Sequence, residues 1–75
     1  MFFWIAERRG QEFTRYGPYA SRSQAEKYAE DSLDGAWEVV PIDTTDKWTA
    51  GRYIKEHLSE IFGSTLGTSR QKVNR

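Results

Sequence analysis

The sequence predicts a small α+β domain with the element order β-β-α-β-α. Two short segments rich in aromatic and β-branched residues flank a glycine turn, as in a hairpin. Two later segments place apolar residues at helical spacing behind capping residues, and a third strand-like segment lies between them. The first strand is the most apolar, so we expect a three-stranded antiparallel sheet in the order 2-1-3. Both helices are expected on one face of it, because two helices this small should not cover both faces.

The first two strands form the predicted hairpin. Residues 2–8 (FFWIAER) and 11–16 (QEFTRY) are separated by Arg9-Gly10, and Gly10 can adopt the positive φ of a tight turn. With that turn, Arg8 pairs with Gln11 and Ala6 with Phe13. The dipeptide Gly17-Pro18 is expected to end the second strand, since proline donates no hydrogen bond to a ladder.

The first helix is predicted over residues 21–33. Ser21 or Ser23 can cap it, and Gln24 stands three residues after Ser21, the spacing of a capping box. Asp34-Gly35 is expected to stop the helix. Residues 36–42 (AWEVVPI) form the third predicted strand, in which Pro41 favours an edge position or a bulge.

The second helix is predicted over residues 47–62. The preceding Asp43-Thr44-Thr45-Asp46 offers short capping side chains, and Ala50, Ile54, Leu58 and Ile61 give the helix an apolar stripe. Gly63 ends it, and Gly51 either weakens the helix or admits a close neighbour.

Residues 1–62 are therefore predicted to be one domain, followed by a disordered basic tail over residues 63–75. The tail is small and polar, and it contains Arg70, Lys72 and Arg75 but no acidic residue. It offers too little apolar surface to offset the entropy of ordering it.

Composition excludes several classes of protein. The 75 residues carry 11 basic and 11 acidic side chains and no cysteine. This excludes a disulfide scaffold, a thiolate metal site and a protein that binds nucleic acid through a surface that is basic overall. No run of eighteen apolar residues is present, and the apolar opening lacks the basic lead of a signal peptide, so we expect a cytoplasmic protein.

The hairpin places rings on both faces of the sheet. Alternation puts Phe2, Trp4, Ala6, Phe13 and Arg15 on one face, and Phe3, Ile5, Glu7, Thr14 and Tyr16 on the other. We favour the second set as core, although the opposite assignment stays open. An uncovered aromatic face beside arginines is typical of a binding site. The predicted binding surface consists of Phe2, Trp4, Arg8, Phe13 and Arg15.

Catalytic chemistry has little support in this sequence. His57 is the single histidine, and Glu26/Glu30 and Glu56/Glu60 are spaced as solvated helix faces. No phosphate loop, metal-ligand spacing or nucleophile motif is present, so we expect no enzyme, no cofactor and no metal.

A non-catalytic binding module is therefore the predicted function. Its tryptophan, tyrosine and arginine content is typical of interface centres, which favours association with a protein or with a second copy as a homodimer. The alternative is single-stranded nucleic acid, bound by sheet aromatics and the basic tail. The candidate contacts for that alternative are Lys47, Arg52, Lys55, Arg70, Lys72 and Arg75.

Residues 16–29 (YGPYASRSQAEKYA) resemble the second half of a SPOR domain, which runs from a strand through Gly-Pro-aromatic into Ser-Arg-x-x-Ala-Glu at a helix start. The resemblance implies a small α+β module that binds septal peptidoglycan through a sheet face. A SPOR domain repeats β-α-β twice, whereas a hairpin precedes a single β-α-β here. The resemblance therefore implies no particular ligand-binding residues in this chain.

Overall fold

The structure, a computed structural model, describes residues 1–63. It contains three strands, two α-helices and a final π-helical turn in the predicted order. Their bounds are β1 (Phe2–Arg9), β2 (Glu12–Tyr19), α1 (Arg22–Ser32), β3 (Ala36–Ile42), α2 (Lys47–Glu56) and the π-helical turn (Ser59–Gly63). Apart from Gly63, the predicted tail lies outside the described residues.

The three strands form one antiparallel sheet in the order β2-β1-β3, which confirms the predicted topology. The central strand, β1, pairs with both neighbours along most of its length. Its apolar composition suits this position, because a central strand is covered on both faces and at both edges. Pro41 lies in β3, at the edge of the sheet, where its missing N–H removes no ladder bond.

The hairpin register differs from the predicted one. Arg9 lies opposite Glu12, so the turn consists of Gly10 and Gln11, and Gly10 takes the positive φ of +64°. The predicted pairing of Arg8 with Gln11 is wrong by two residues. A shift of two leaves every side chain on its predicted face, because alternation has a period of two.

The second strand also continues further than predicted. It runs through the cis Gly17-Pro18 bond to Tyr19, which lies opposite Phe3, with a bulge between Phe3 and Ile5. Pro18 is tolerated because β2 is an edge strand and its outer side needs no donor. Gly17 has a φ of +148°, and a Cβ there would lie 2.8 Å from the ring of Trp4.

The two helices cover opposite faces of the sheet, so the prediction that both lie on one face is wrong. α1 lies over a buried cluster that consists of Ile5, Ala25, Ala29, Trp37 and Val39. α2 and the π-helical turn lie over a second buried cluster that consists of Trp4, Ala6, Val40, Ile42, Ala50, Ile54 and Phe62. The reason is that β1 and β3 are apolar on both sides, so each face needs a cover, and the narrow stripe of each helix suffices for one.

Side-chain capping fixes both helix starts as predicted. The Ser21 hydroxyl accepts a hydrogen bond from the backbone N–H of Gln24 at 3.2 Å, and Asp46 accepts one from Thr49 at 2.7 Å. The second helix ends earlier than predicted, at Glu56, since His57 leaves the helical conformation with a φ of −117°. The chain then makes the π-helical turn, which brings Phe62 into the core.

No helix among residues 1–63 is both long enough and apolar enough to cross a membrane.

Candidate functional site

The aromatic sheet face predicted as the binding surface is covered by α2. Trp4 is 1% exposed, and its indole Nε1 donates a hydrogen bond to the carbonyl oxygen of Thr44 at 3.0 Å. Phe13 is half-buried against the same cluster, and Phe2 is also half-buried. The prediction that Trp4 faces a partner is therefore wrong, and Phe13 borders a core rather than an open face.

Arg8 is exposed and lies at the hairpin end of the sheet. Its Nε donates to the carbonyl oxygen of Gly10 at 3.1 Å. It also borders an open cleft of about 290 Å³, whose other lining residues are Gln11, Glu12, Leu58, Ser59 and Gly63. Arg8 keeps its predicted exposure and lies opposite Phe13 in the β1–β2 pairing, at the hairpin end of the face that α2 covers.

Arg15 is the predicted contact residue that the structure places beside an exposed ring. Its side chain reaches from β2 to α2, where its Nε donates to the carbonyl oxygen of Lys47 at 2.8 Å. Its guanidinium carbon lies 5.5 Å from the centroid of the Trp48 ring, within the range of a cation–π interaction. A Cβ on Gly51 would lie 2.9 Å from that Nε, so the absence of a side chain at Gly51 leaves room for Arg15.

Trp48 is the most exposed large ring among residues 1–63. It is 72% exposed, whereas Trp4 and Trp37 are 1% and 6% exposed. It lies in the first turn of α2, away from the buried positions Ala50 and Ile54.

Further cations lie on the same helix as this ring. Arg52 and Lys55 follow Trp48 at i+4 and i+7 on α2, which places all three on one side of the helix. Lys47 is exposed at the start of the same helix. We call the group formed by Arg15, Lys47, Trp48, Arg52 and Lys55 the Trp48 surface.

Asp46, the acidic residue at the start of α2, caps the helix. The carboxylate of Asp46 accepts hydrogen bonds from both the hydroxyl and the backbone N–H of Thr49, each at 2.7 Å. These two bonds hold the pKa of Asp46 below its ordinary value, with smaller contributions from the charges of Arg15 and Arg52. Asp46 thus stabilises the helix start, while the side chains of Lys47, Arg52 and Lys55 stay exposed and Arg15 is half-buried.

Trp48 was not among the predicted contact residues, but its neighbours were. Lys47, Arg52 and Lys55 were predicted as contacts, and the structure brings them together with Arg15. A signal for Trp48 was present, because it stands outside the i, i+4 stripe of Ala50 and Ile54. The candidates Arg70, Lys72 and Arg75 lie outside the described residues.

The single histidine makes local contacts on α2. His57 Nδ1 lies 2.8 Å from the carbonyl oxygen of Tyr53, and the two rings stack with their centroids 4.1 Å apart. Residues 1–63 contain no group of three or more histidine, cysteine, aspartate or glutamate side chains that could hold a metal ion.

Comparison with known proteins gives no match: no family model, no curated protein and no solved structure matches this chain. The resemblance to a SPOR domain therefore stays a prediction, and the geometry of the Trp48 surface is what bears on function.

Proposed function

We propose that this protein is a non-catalytic binding module whose partner docks on the Trp48 surface. The observation that carries the proposal is the exposure of Trp48, at 72%, in a chain that buries its other two tryptophans. An indole left in water forgoes about 2–3 kcal/mol of burial free energy, which a docked partner can supply. Tryptophan and arginine side by side are also the residue types that dominate binding energy at interfaces.

The side chain beside Trp48 is already held in place in the free protein, which supports a role in binding. Arg15 is held by the Lys47 carbonyl oxygen and lies against Gly51, so a cation is fixed beside the indole before any partner arrives. A side chain already ordered in the free protein loses less conformational entropy on binding.

The proposed class of function, a non-catalytic binding module, is the one predicted from the sequence, but the proposed surface lies mainly on α2 instead of on the sheet. The sheet face expected to bind a partner is occupied by α2, whereas no element among residues 1–63 covers the outer side of α2. Association with a protein, including a second copy of this chain, is one class of partner that a tryptophan–arginine surface suits. The positive charge of the surface favours a second class, single-stranded nucleic acid.

The test compares the full chain with Trp48→Ala in two measurements, the mass in solution over a range of concentrations and the titration with a single-stranded oligonucleotide. We expect at least one form of association in the parent chain and its loss in Trp48→Ala. Tyr28→Ala is the matched control, since Tyr28 is 37% exposed and lies on α1, on the opposite side of the sheet. A Trp48→Ala chain that associates as well as the parent would refute the proposal.

A further inference from the structure

We infer that the partner of the Trp48 surface is a single-stranded nucleic acid, with a base stacked on Trp48 and phosphates bound by Arg15, Arg52 and Lys55. This inference rests on the proposed function and adds the chemical class of the partner.

The first support is the excess of cations over acids on the Trp48 surface. Within residues 1–63, the ion pairs join the Met1 amino group to Asp43, Arg9 to Glu7, and Lys27 to Asp31. None of them includes a cation of the Trp48 surface. Four cations therefore belong to the surface that contains the most exposed indole, against two acids, Asp46 at the start of α2 and Glu56 at its end. Asp46 interacts with the charges of Arg15 and Arg52 but forms no short ion pair with them, so the surface keeps a net positive charge. The net positive charge of the Trp48 surface favours an anionic partner.

The second support is the geometry of the helix. Along α2, Arg52 and Lys55 follow Trp48 at about 6 Å and 10.5 Å, given a rise of about 1.5 Å per residue. The ring and the two cations thus form a row, while Arg15 flanks the ring from β2. A strand laid along this row would place successive phosphates near successive cations and a base on the ring.

The third support is the kind of anion that the surface can recognise. A flat indole stacks on any base, and arginine and lysine bind phosphates, which together is how sequence-tolerant single-strand sites work. A base within a duplex is already stacked on its neighbours and is not free to lie on the ring. The surface therefore favours a single strand over a duplex.

The positive charge also disfavours a symmetric homodimer through this surface. In a twofold contact the same patch meets itself, so Arg52 and Lys55 of one copy would approach like charges of the other. On α2 itself the acids are Asp46, which is engaged in capping, and Glu56 at the far end of the helix. Glu26, Glu30, Asp31 and Asp34 lie across the sheet on α1 and the loop after it. Self-association by another geometry is the competing outcome that the experiment distinguishes.

The experiment is a fluorescence titration of the full chain with oligothymidylate, with a duplex of equal length and inorganic polyphosphate as further probes. Trp48 is the exposed indole, so stacking of a base should quench chiefly its emission. We expect tight binding of the single strand, weaker binding of the duplex, and poor competition by polyphosphate, which has charge but no base.

The variants separate stacking from charge. Trp48→Ala should weaken binding of the single strand about 10-fold or more, and Trp48→Phe should weaken it less. Arg52→Gln with Lys55→Gln should reduce the steepness of the salt dependence by about 1.4, since each phosphate contact with a single strand contributes about 0.7. The matched control neutralises Arg22 and Lys27, two exposed cations on α1, and should leave the salt dependence unchanged.

Three results would overturn the inference. Polyphosphate that competes as well as the oligonucleotide would show a general anion site, and binding that survives Trp48→Ala would place it elsewhere, for instance on the basic tail. A chain that ignores the oligonucleotide but self-associates through Trp48 would identify a protein partner and leave the proposed function standing. If neither association depends on Trp48, the proposed function fails as well.

Discussion

Glu7 is a charged side chain with no exposure to solvent, and its carboxylate joins three parts of the fold. The hydroxyl of Tyr16 on β2 donates to Oε1 at 3.0 Å, and the backbone N–H of Gly35, just before β3, donates to Oε2 at 3.2 Å. The guanidinium of Arg9 completes the set, with its Nε 3.3 Å from Oε1. A buried carboxylate is tolerated only when its oxygens are satisfied in this way.

Glu7→Ala should therefore destabilise the protein by about 3 kcal/mol, because it leaves the Tyr16 hydroxyl and the Gly35 N–H without their acceptor. Glu7→Gln, which keeps one carbonyl oxygen, should cost less. Urea unfolding measures both, with Glu12→Gln as the control, since Glu12 is an exposed acid on the adjacent strand and should change stability by less than about 0.5 kcal/mol. Equal costs for Glu7→Ala and Glu12→Gln would refute this role of Glu7.

The environment of Tyr16 determines how the free energy of unfolding should change at alkaline pH. Burial, together with the hydrogen bond to Glu7 and the charge of Glu7, raises the pKa of Tyr16 above its ordinary value of 10.0. The folded state thus holds the phenol proton more tightly than the unfolded state does. The resulting stabilisation is complete below pH 10 and is lost as the pH rises from there through the pKa of the folded state.

Tyr16→Phe should accordingly lower stability at neutral pH and make it fall less steeply above about pH 10 than in the parent. The two curves of unfolding free energy against pH should converge at the alkaline end. Tyr19, whose pKa is raised by burial and by Tyr28, continues to contribute a slope in both proteins. A constant difference between the curves at all values of pH would contradict the assignment to Tyr16.

Gly51 on α2 leaves room for the Arg15 side chain from β2, although alanine has a higher helix propensity than glycine at such a position. Alanine at Gly51 should stabilise an exposed helix by about 1 kcal/mol, but its Cβ would lie 2.9 Å from Nε of Arg15. The arginine would have to shift, which disturbs its bond to the Lys47 carbonyl oxygen. The helix therefore gives up some intrinsic stability to hold a cation beside Trp48.

Gly51→Ala should consequently stabilise the parent chain by less than it stabilises an Arg15→Ala chain, in which the full gain of about 1 kcal/mol should appear. A double-mutant cycle in urea measures this coupling. If the partner is the anion proposed above, Gly51→Ala should also weaken binding while Trp48 stays in place. Equal stabilisation in both backgrounds would show that Arg15 does not use the space at Gly51.

Local pattern predicted most elements, and long-range geometry accounts for the errors. Caps at Ser21 and Asp46 are signals carried by a few neighbouring residues, and both are confirmed. The hairpin turn was misplaced because Gly10 can occupy either position of a two-residue turn, and only pairing along the strands decides between them. Since the shift is two residues, the predicted face sets survive it: Trp4 and Phe13 share one cluster, and Ile5 and Tyr16 share the other.

For the molecule as a whole, the sequence already contained the evidence against an open face. Rings on both sides of β1 were interpreted as one core and one binding surface, whereas they are two cores. Which face of the sheet each helix covers is not encoded in the periodicity of any segment. The binding surface could not be predicted from strand alternation because it lies on the outer side of a helix.

The central strand makes these two cores a single folding unit. Ile5 contributes to the cluster beneath α1, while its neighbours Trp4 and Ala6 contribute to the cluster beneath α2. The side chains that β1 contributes to the two clusters alternate along one backbone. If β1 unfolds, both clusters therefore lose these side chains together. We therefore expect both cores to unfold in one transition, as small domains generally do.

Single-tryptophan variants test this expectation, because each core contains one tryptophan. Trp37→Phe with Trp48→Phe leaves Trp4 to report on the α2 side, and Trp4→Phe with Trp48→Phe leaves Trp37 to report on the α1 side. Within each variant, the urea midpoint by fluorescence should equal the midpoint by far-ultraviolet circular dichroism, even though loss of the Trp4 hydrogen bond to Thr44 lowers stability in the second variant. If fluorescence of Trp4 changes at lower urea than the circular dichroism does, α2 separates from the sheet before α1. The Trp48 surface would then lie on an element that opens independently of the rest of the fold.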